Sequence, residues 1–82
     1  MVMNMAEKYE RIRNLREDAD LTQAQMGERI NVPQRTYAYY ESGERMIPPQ
    51  VLAALAQYHR VSVDYLLGLT DQKTPYPTKN KK

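Results

Sequence analysis

Cysteine is absent from this 82-residue chain, which excludes disulfide bridges and thiolate metal sites. Tryptophan and phenylalanine are absent as well, so all seven aromatics are tyrosine. His59 is the single histidine. Without a cysteine or a second histidine beside it, it reads as a residue at the edge of a core rather than a metal ligand. No apolar run approaches the ~20 residues that span a bilayer. Met1–Met5 has neither the basic region nor the long apolar stretch of a signal peptide. There is no phosphate loop, and no motif places a base beside a nucleophile; Asp18 and Asp20 read as helix-end and turn residues rather than a catalytic pair. The expectation from these absences is a soluble cytoplasmic protein with no enzyme activity, no cofactor and no membrane partner. At this length it makes one domain with a small core.

Charge of one sign is also scarce where it would count. The formal net charge is +2, but Lys73, Lys79, Lys81 and Lys82 all lie beyond Asp71. Residues 1–72 hold eight Lys or Arg against ten Asp or Glu. The folded part is therefore not a basic body. If it binds nucleic acid, placed cations do so, and a non-specific coating role is disfavoured.

What is present is a series of short helical periods with capping signals. Asn4 with Glu7 forms a potential capping box. Met5, Tyr9, Ile12, Leu15 and Ala19 recur at helical spacing, which predicts helix 1 over roughly residues 5–18. Asp18-Ala19-Asp20 breaks it. Thr22 with Gln25 is a second capping box and opens helix 2, whose inner side is Leu21, Met26, Gly27 and Ile30. Gly27 costs helix propensity and makes sense if another helix passes close by. Asn31 tolerates the left-handed conformation of a sharp helix exit. Pro33 stands where helix 3 begins, and Gly43 ends it. Glu44–Ile47 is a loop, and Pro48-Pro49 starts helix 4. In helix 4, Val51, Leu52, Leu55, Ala56 and His59 share one side. Ser62 caps a short helix 5 running to Leu67, with Gly68 as its stop. The reading is all-α, five short helices and no strand: a domain over residues 1–69, followed by a polar, lysine-rich tail over residues 70–82.

Helix 3 is the most informative element. At about 100° per residue, Gln34, Arg35, Ala38, Tyr39 and Ser42 share one face within roughly 140° of arc. Thr36, Tyr37 and Tyr40 fall on the other. One face can pack, with Tyr37 and Tyr40 as core. The opposite face carries a glutamine and an arginine, which can make paired hydrogen bonds to adenine and guanine edges in a DNA major groove. Helix 2 runs straight into helix 3 across a very short turn, the outline of a helix-turn-helix. Taken alone, the outer face could equally be ordinary solvated positions.

Around that outline, the order of Arg11-Ile12-Arg13, Leu15-Arg16, Leu21-Thr22-Gln23, Met26-Gly27, Tyr40-Glu41-Ser42-Gly43, Arg45, Pro48, Leu55-Ala56 and Val61–Leu67 resembles the lambda-repressor-like, Cro-type (XRE family) helix-turn-helix domain of bacterial and phage regulators. The resemblance covers Arg11–Leu67. It implies a compact five-helix bundle in which helices 2 and 3 form the helix-turn-helix, binding to double-stranded DNA, and two-fold symmetric dimers. It implies that the first turn of helix 3 goes deepest into the groove, so Gln34 and Arg35 read bases, with Ala38 against a thymine methyl group and Tyr39 one turn further on. It assigns backbone contacts to Thr22 and Gln23 at the start of helix 2, to Arg13 and Arg16 on helix 1, and to Ser42, Arg45 and the amides of residues 44–46 after helix 3. It also implies a structural salt bridge between Arg16 and Glu41. Four positions depart from the family pattern. Gly27 stands where alanine is common, Asn31 replaces the turn glycine, Pro33 replaces a capping serine or threonine, and Tyr40 replaces tryptophan or leucine.

The function expected from the sequence is a sequence-specific transcriptional regulator, in the sense of a repressor, encoded by a bacterium or phage. It would bind a palindromic operator as a homodimer, with Tyr65, Leu66 and Leu69 as candidates for the dimer contact. Two alternatives stay open. One is the antitoxin of a toxin–antitoxin pair, with the tail ordering on a protein partner. The other is a protein–protein interaction module that binds no DNA.

Overall fold

The structure, a computed structural model, describes residues 9–74. Over these residues the chain is all-helical, with five helices and no strand: α1 (Glu10–Asp18), α2 (Gln23–Arg29), α3 (Gln34–Ser42), α4 (Pro49–His59) and α5 (Val63–Leu66). The expected Asn4–Glu7 capping box and Met5 lie outside the described residues. Among the described residues the first helix begins at Glu10. Tyr9 stands at the N-cap of α1 with φ −114° and ψ 25°, and its ring goes into the core.

Local chemistry sets most of the element ends. Thr22 accepts a hydrogen bond from the Gln25 amide at 3.1 Å, and the Gln25 side chain accepts one from the Thr22 amide at 2.9 Å. This reciprocal box satisfies two of the amides that a helix start leaves unpaired. Asp20 turns α1 into α2 at φ 61°, and Asn31 turns α2 into α3 at φ 66°, a region these short polar side chains visit more easily than most. Gly43 closes α3 at φ 84°. Ser62 caps α5 by accepting from the Tyr65 amide at 3.0 Å, and Gly68 follows at φ 78°. Arg60 closes α4 at φ 59°, a left-handed exit made without glycine or asparagine.

Gly27 allows the close approach expected of it, made by the turn and the start of α3. A Cβ built there would lie 2.5 Å from the carbonyl oxygen of Val32 in the turn and 3.7 Å from the Cα of Gln34, the first residue of α3. The Val32 amide in turn donates to the Gly27 carbonyl at 2.7 Å. The missing side chain lets the turn fold back on α2 and sets α3 close against it.

The core is built from Tyr9, Ile12, Met26, Tyr37, Tyr40, Ile47, Leu55, Ala56, Val61 and Leu66. Tyr37, Ile12, Met26, Leu55 and Leu66 are its largest fully buried side chains. Helices α2 and α3 pack most closely, α1 lies against α3 and α5, and α5 folds back on α4. Ile47, in the loop before α4, is buried and plugs the core from outside any helix. Ala19, expected on the inner stripe of helix 1, is exposed, because the chain has already left α1 at Asp18. The segment after α5 does not simply depart. The Arg11 guanidinium donates to the carbonyls of Tyr65 and Thr70 and pairs with Asp71 at 2.9 Å. The Ser62 amide donates to the Lys73 carbonyl at 2.9 Å. Residues 70–73, expected to begin the tail, are tied to the helical body. No helix among the described residues is long and apolar enough to cross a membrane.

Candidate nucleic-acid interface

Helix α3 divides its tyrosines as its periodicity requires. Tyr37 is fully buried and Tyr40 nearly so, while Gln34, Arg35 and Ser42 are exposed and Ala38 and Tyr39 half-buried. Pro33 occupies the N-cap with ψ 149° and offers no side-chain cap. The helix starts because proline cannot be drawn into the preceding turn and its φ is preset for the next one. Gln34 and Arg35 therefore stand on the first exposed turn, at the end of α3 nearest the short α2–α3 connection.

Behind that face lies a charged network. Arg16 of α1 donates to Glu41 of α3 through Nε at 2.5 Å and through a terminal nitrogen at 3.2 Å, and its other terminal nitrogen donates to the Leu21 carbonyl at 2.8 Å. The side chains are 12% and 4% exposed. Gln23 of α2 adds a third donor to Glu41 at 3.0 Å. Three helices are thus tied at one carboxylate. Burial alone would push the Glu41 carboxyl up, but the hydrogen bonds from Arg16 and Gln23 and the nearby Tyr37 outweigh it and hold the group below its ordinary value. The Arg16 guanidinium is raised, chiefly by its hydrogen bond to Glu41. The Tyr37 hydroxyl, enclosed beside this pair without hydrogen-bond geometry to any partner, is pushed up by burial first and by the Glu41 carboxylate second. It stays protonated. The net result is a rigid mount in which Glu41 is ionised and the position of α3 on α1 and α2 is fixed by charge-assisted bonds.

In front of the network is a shallow depression of about 300 Å³ lined by Arg13, Arg16, Gln23, Ala38, Glu41 and Ser42. It brings together, from α1, α2 and α3, five of the side chains named as DNA contacts from sequence. Arg13 is exposed and carries its charge to the rim. Gln23 spends one amide hydrogen on Glu41 and keeps further donor and acceptor capacity by its chemistry. Arg16 is largely turned inward. Thr22, at the cap of α2, has its hydroxyl engaged with Gln25. Gln34 and Arg35 stand beyond the depression on the N-terminal turn of α3.

At the other end of α3 the structure uses groups that sequence reasoning had assigned outward. The Tyr39 carbonyl accepts from the Glu44 amide at 3.0 Å and the Arg45 amide at 3.3 Å. The Ser42 hydroxyl lies 3.1 Å from the same carbonyl and 3.3 Å from a Glu44 carboxylate oxygen, and accepts from the Glu44 amide. Two of the three loop amides expected to contact DNA are therefore spent inside the turn. What the loop presents is the exposed Arg45 side chain, whose guanidinium carbon sits 4.8 Å from the centre of the Tyr39 ring. That stacking contact joins residues six apart across a helix end and left no signal in the helical period.

The dimer candidates separate too. Leu66 is fully buried and closes the core. The Tyr65 ring is covered by cations of its own chain, Arg11 at 4.2 Å and Lys73 at 5.9 Å. Leu69, 73% exposed, is the one of the three left open. A larger groove of about 710 Å³ runs between α4 and α5, lined by Ala53, Ala56, Val61 and Val63 together with Gln57, Arg60, Ser62 and Asp64. It shares no lining residue with the depression in front of Glu41. Among the described residues no group of His, Asp and Glu could hold a metal ion.

With this geometry in hand, comparison with known proteins gives a consistent result. The helix-turn-helix family model matches residues 12–66. An uncharacterized HTH-type transcriptional regulator of Bacillus subtilis, YobD, is 41% identical over 66 residues, which are 80% of this chain and 59% of that protein. The cryptic phage CTXphi transcriptional repressor RstR of Vibrio cholerae is 37% identical over 59 residues, 72% of this chain and 53% of that protein. The chain thus spans less than two thirds of the length of either relative. No solved structure gives a significant match.

Proposed function

This chain belongs to the Cro-type (XRE) helix-turn-helix family, and from that premise we propose that it is a sequence-specific double-stranded DNA-binding regulator of transcription, acting as a repressor. The observation that carries the reading is the exposure of Gln34 and Arg35 on the first turn of α3, opposite a face locked by Tyr37, Tyr40 and the Arg16–Glu41 pair. Helix α3 enters the major groove. Arg35 pairs with guanine and Gln34 with adenine, each such pair contributing roughly 1–3 kcal/mol of discrimination. Ala38 meets a thymine methyl group. Arg13, Thr22, Gln23, Ser42 and Arg45 flank the groove along the phosphates, while Arg16 holds α3 from behind through Glu41. They set the register while Gln34 and Arg35 set the sequence.

One copy reads too few base pairs to select an operator. The protein therefore binds as a homodimer to a palindrome with half-site centres about 10 base pairs apart, with Leu69 as a candidate contact. The relatives' descriptions, a transcriptional regulator and a repressor, support regulation ahead of an antitoxin role or a pure protein-interaction role. Selection of duplexes from a random library at physiological salt tests the proposal. A palindromic consensus is expected. Absence of any enrichment, with only salt-sensitive background binding, overturns it and favours the protein-interaction alternative.

A further inference from the structure

Tyr39 sits on the outward face of α3, and one face of its ring is occupied by a cation of its own chain. The Arg45 guanidinium lies over it at 4.8 Å, and the ring is half-buried. Its backbone carbonyl is the hub of the turn that follows, accepting from the amides of Glu44 and Arg45 and lying 3.1 Å from the Ser42 hydroxyl. Ring and carbonyl of one residue therefore hold both the side chain and the backbone of Arg45. Because the Glu44 and Arg45 amides point inward, the exposed guanidinium is the charged group this turn offers to a phosphate. An arginine at a loop tip loses side-chain entropy when it is fixed on a ligand. Stacking on an aromatic face holds the guanidinium in advance while leaving its edge hydrogens available.

We propose that Tyr39 is a positioning residue: its ring is the platform that presents the Arg45 guanidinium to a backbone phosphate, and its hydroxyl reads no base. The inference rests on the DNA-binding reading and deepens it. It gives Tyr39 to the affinity side of the interface and leaves Gln34 and Arg35 as the readers. It also bears on a body whose residues 1–72 carry more acid than base: with little general field to hold the duplex, one pre-set cation weighs more.

The test uses the full chain and the duplex that the wild type selects, titrated over a salt series with four proteins: Tyr39→Phe, Tyr39→Leu, Arg45→Ala and the Tyr39→Leu/Arg45→Ala pair. Tyr39→Phe keeps the ring and should match the wild type in affinity and in base preference. Tyr39→Leu should weaken binding roughly two- to five-fold per protomer, with base preference unchanged. Arg45→Ala should lower the slope of log affinity against log salt by about 0.9 per protomer, about 1.8 for a dimer on a palindrome, and Tyr39→Leu added to it should cost nothing more. A shifted base preference in Tyr39→Phe overturns the proposal, and so do losses that add in full. A second readout does not depend on how well Tyr39→Leu folds. In the DNA-free wild type and in Tyr39→Phe, the Arg45 side-chain protons should resonate upfield from the aromatic ring current. Random-coil positions there also overturn the proposal. If the wild type selects no duplex, the DNA reading falls and takes this inference with it. If a duplex is selected and the losses add, this inference alone falls.

Discussion

Glu41 concentrates more of this domain's stability than any surface count would suggest. It is 4% exposed, receives Arg16 through two nitrogens and takes a third bond from Gln23. Glu41→Ala leaves a guanidinium that is only 12% exposed without its carboxylate. An uncompensated charge of this kind should cost roughly 3 kcal/mol. Urea denaturation should show that loss, and DNA binding should weaken with it through partial unfolding and a loosened α3. A melting temperature equal to the wild type's would count against this account. Arg35→Ala should behave in the opposite way. Arg35 is exposed, so stability should hold, while base preference relaxes at one position per half-site. Uniformly weaker binding with the same preference profile would make Arg35 a phosphate contact instead. At this scale the sequence separated Tyr37 and Tyr40 from Tyr39, because a period of about 100° per residue assigns faces without knowledge of neighbours. It did not show that Arg45 covers Tyr39 or that Ser42 turns to its own helix end, since both depend on how the chain bends after Gly43.

Elements were legible wherever a side chain acts on its own backbone. The Thr22–Gln25 box, Asn31 as a left-handed exit, Gly43 as a stop and Ser62 as a cap all appear as read. Such bonds span three or four residues and need no tertiary partner. Thr22→Ala removes the acceptor for the Gln25 amide and should cost about 1 kcal/mol. Thermal melts should register it as a lower midpoint, and no shift would mean that another group takes over the cap. The start of α1 was not legible, and the close approach at Gly27 was legible without the carbonyl that makes it. Tyr9 leaves helical geometry as its ring enters the core, and Gly27 answers to a carbonyl five residues on. Arg60 shows the limit from the other side: its left-handed conformation has no residue-type signal, and the fold imposes it so that Val61 can reach the core.

For the molecule as a whole, the pH profile of stability follows from two groups. Burial lowers the His59 imidazole below its ordinary value of 6.5, and its Nε2 is enclosed without a hydrogen-bond partner. Below about pH 6.5 the unfolded chain gains a proton that the folded chain resists, so stability falls as pH drops. Glu41, held below its ordinary value of 4.5, adds a second loss as pH falls through the carboxylate range. Urea midpoints should be flat near pH 7–8 and decline below about 6.5, and His59→Gln should flatten the first part of the decline. A profile without that first decline would mean the His59 environment is open to water. Composition, period and capping chemistry were enough to determine an all-helical domain, the helix-turn-helix and the outward face of α3, because these are set by local bonds and by which side of a helix is apolar. Tertiary structure alone decided the rest. It added Gln23 to the Arg16–Glu41 pair that the family resemblance had implied, buried Ile47 from a loop, tied residues 70–73 to α1 and α5, and placed Arg45 on Tyr39. Each of these depends on distances between segments far apart in the chain or across a bend, and such distances exist only once the helices have packed.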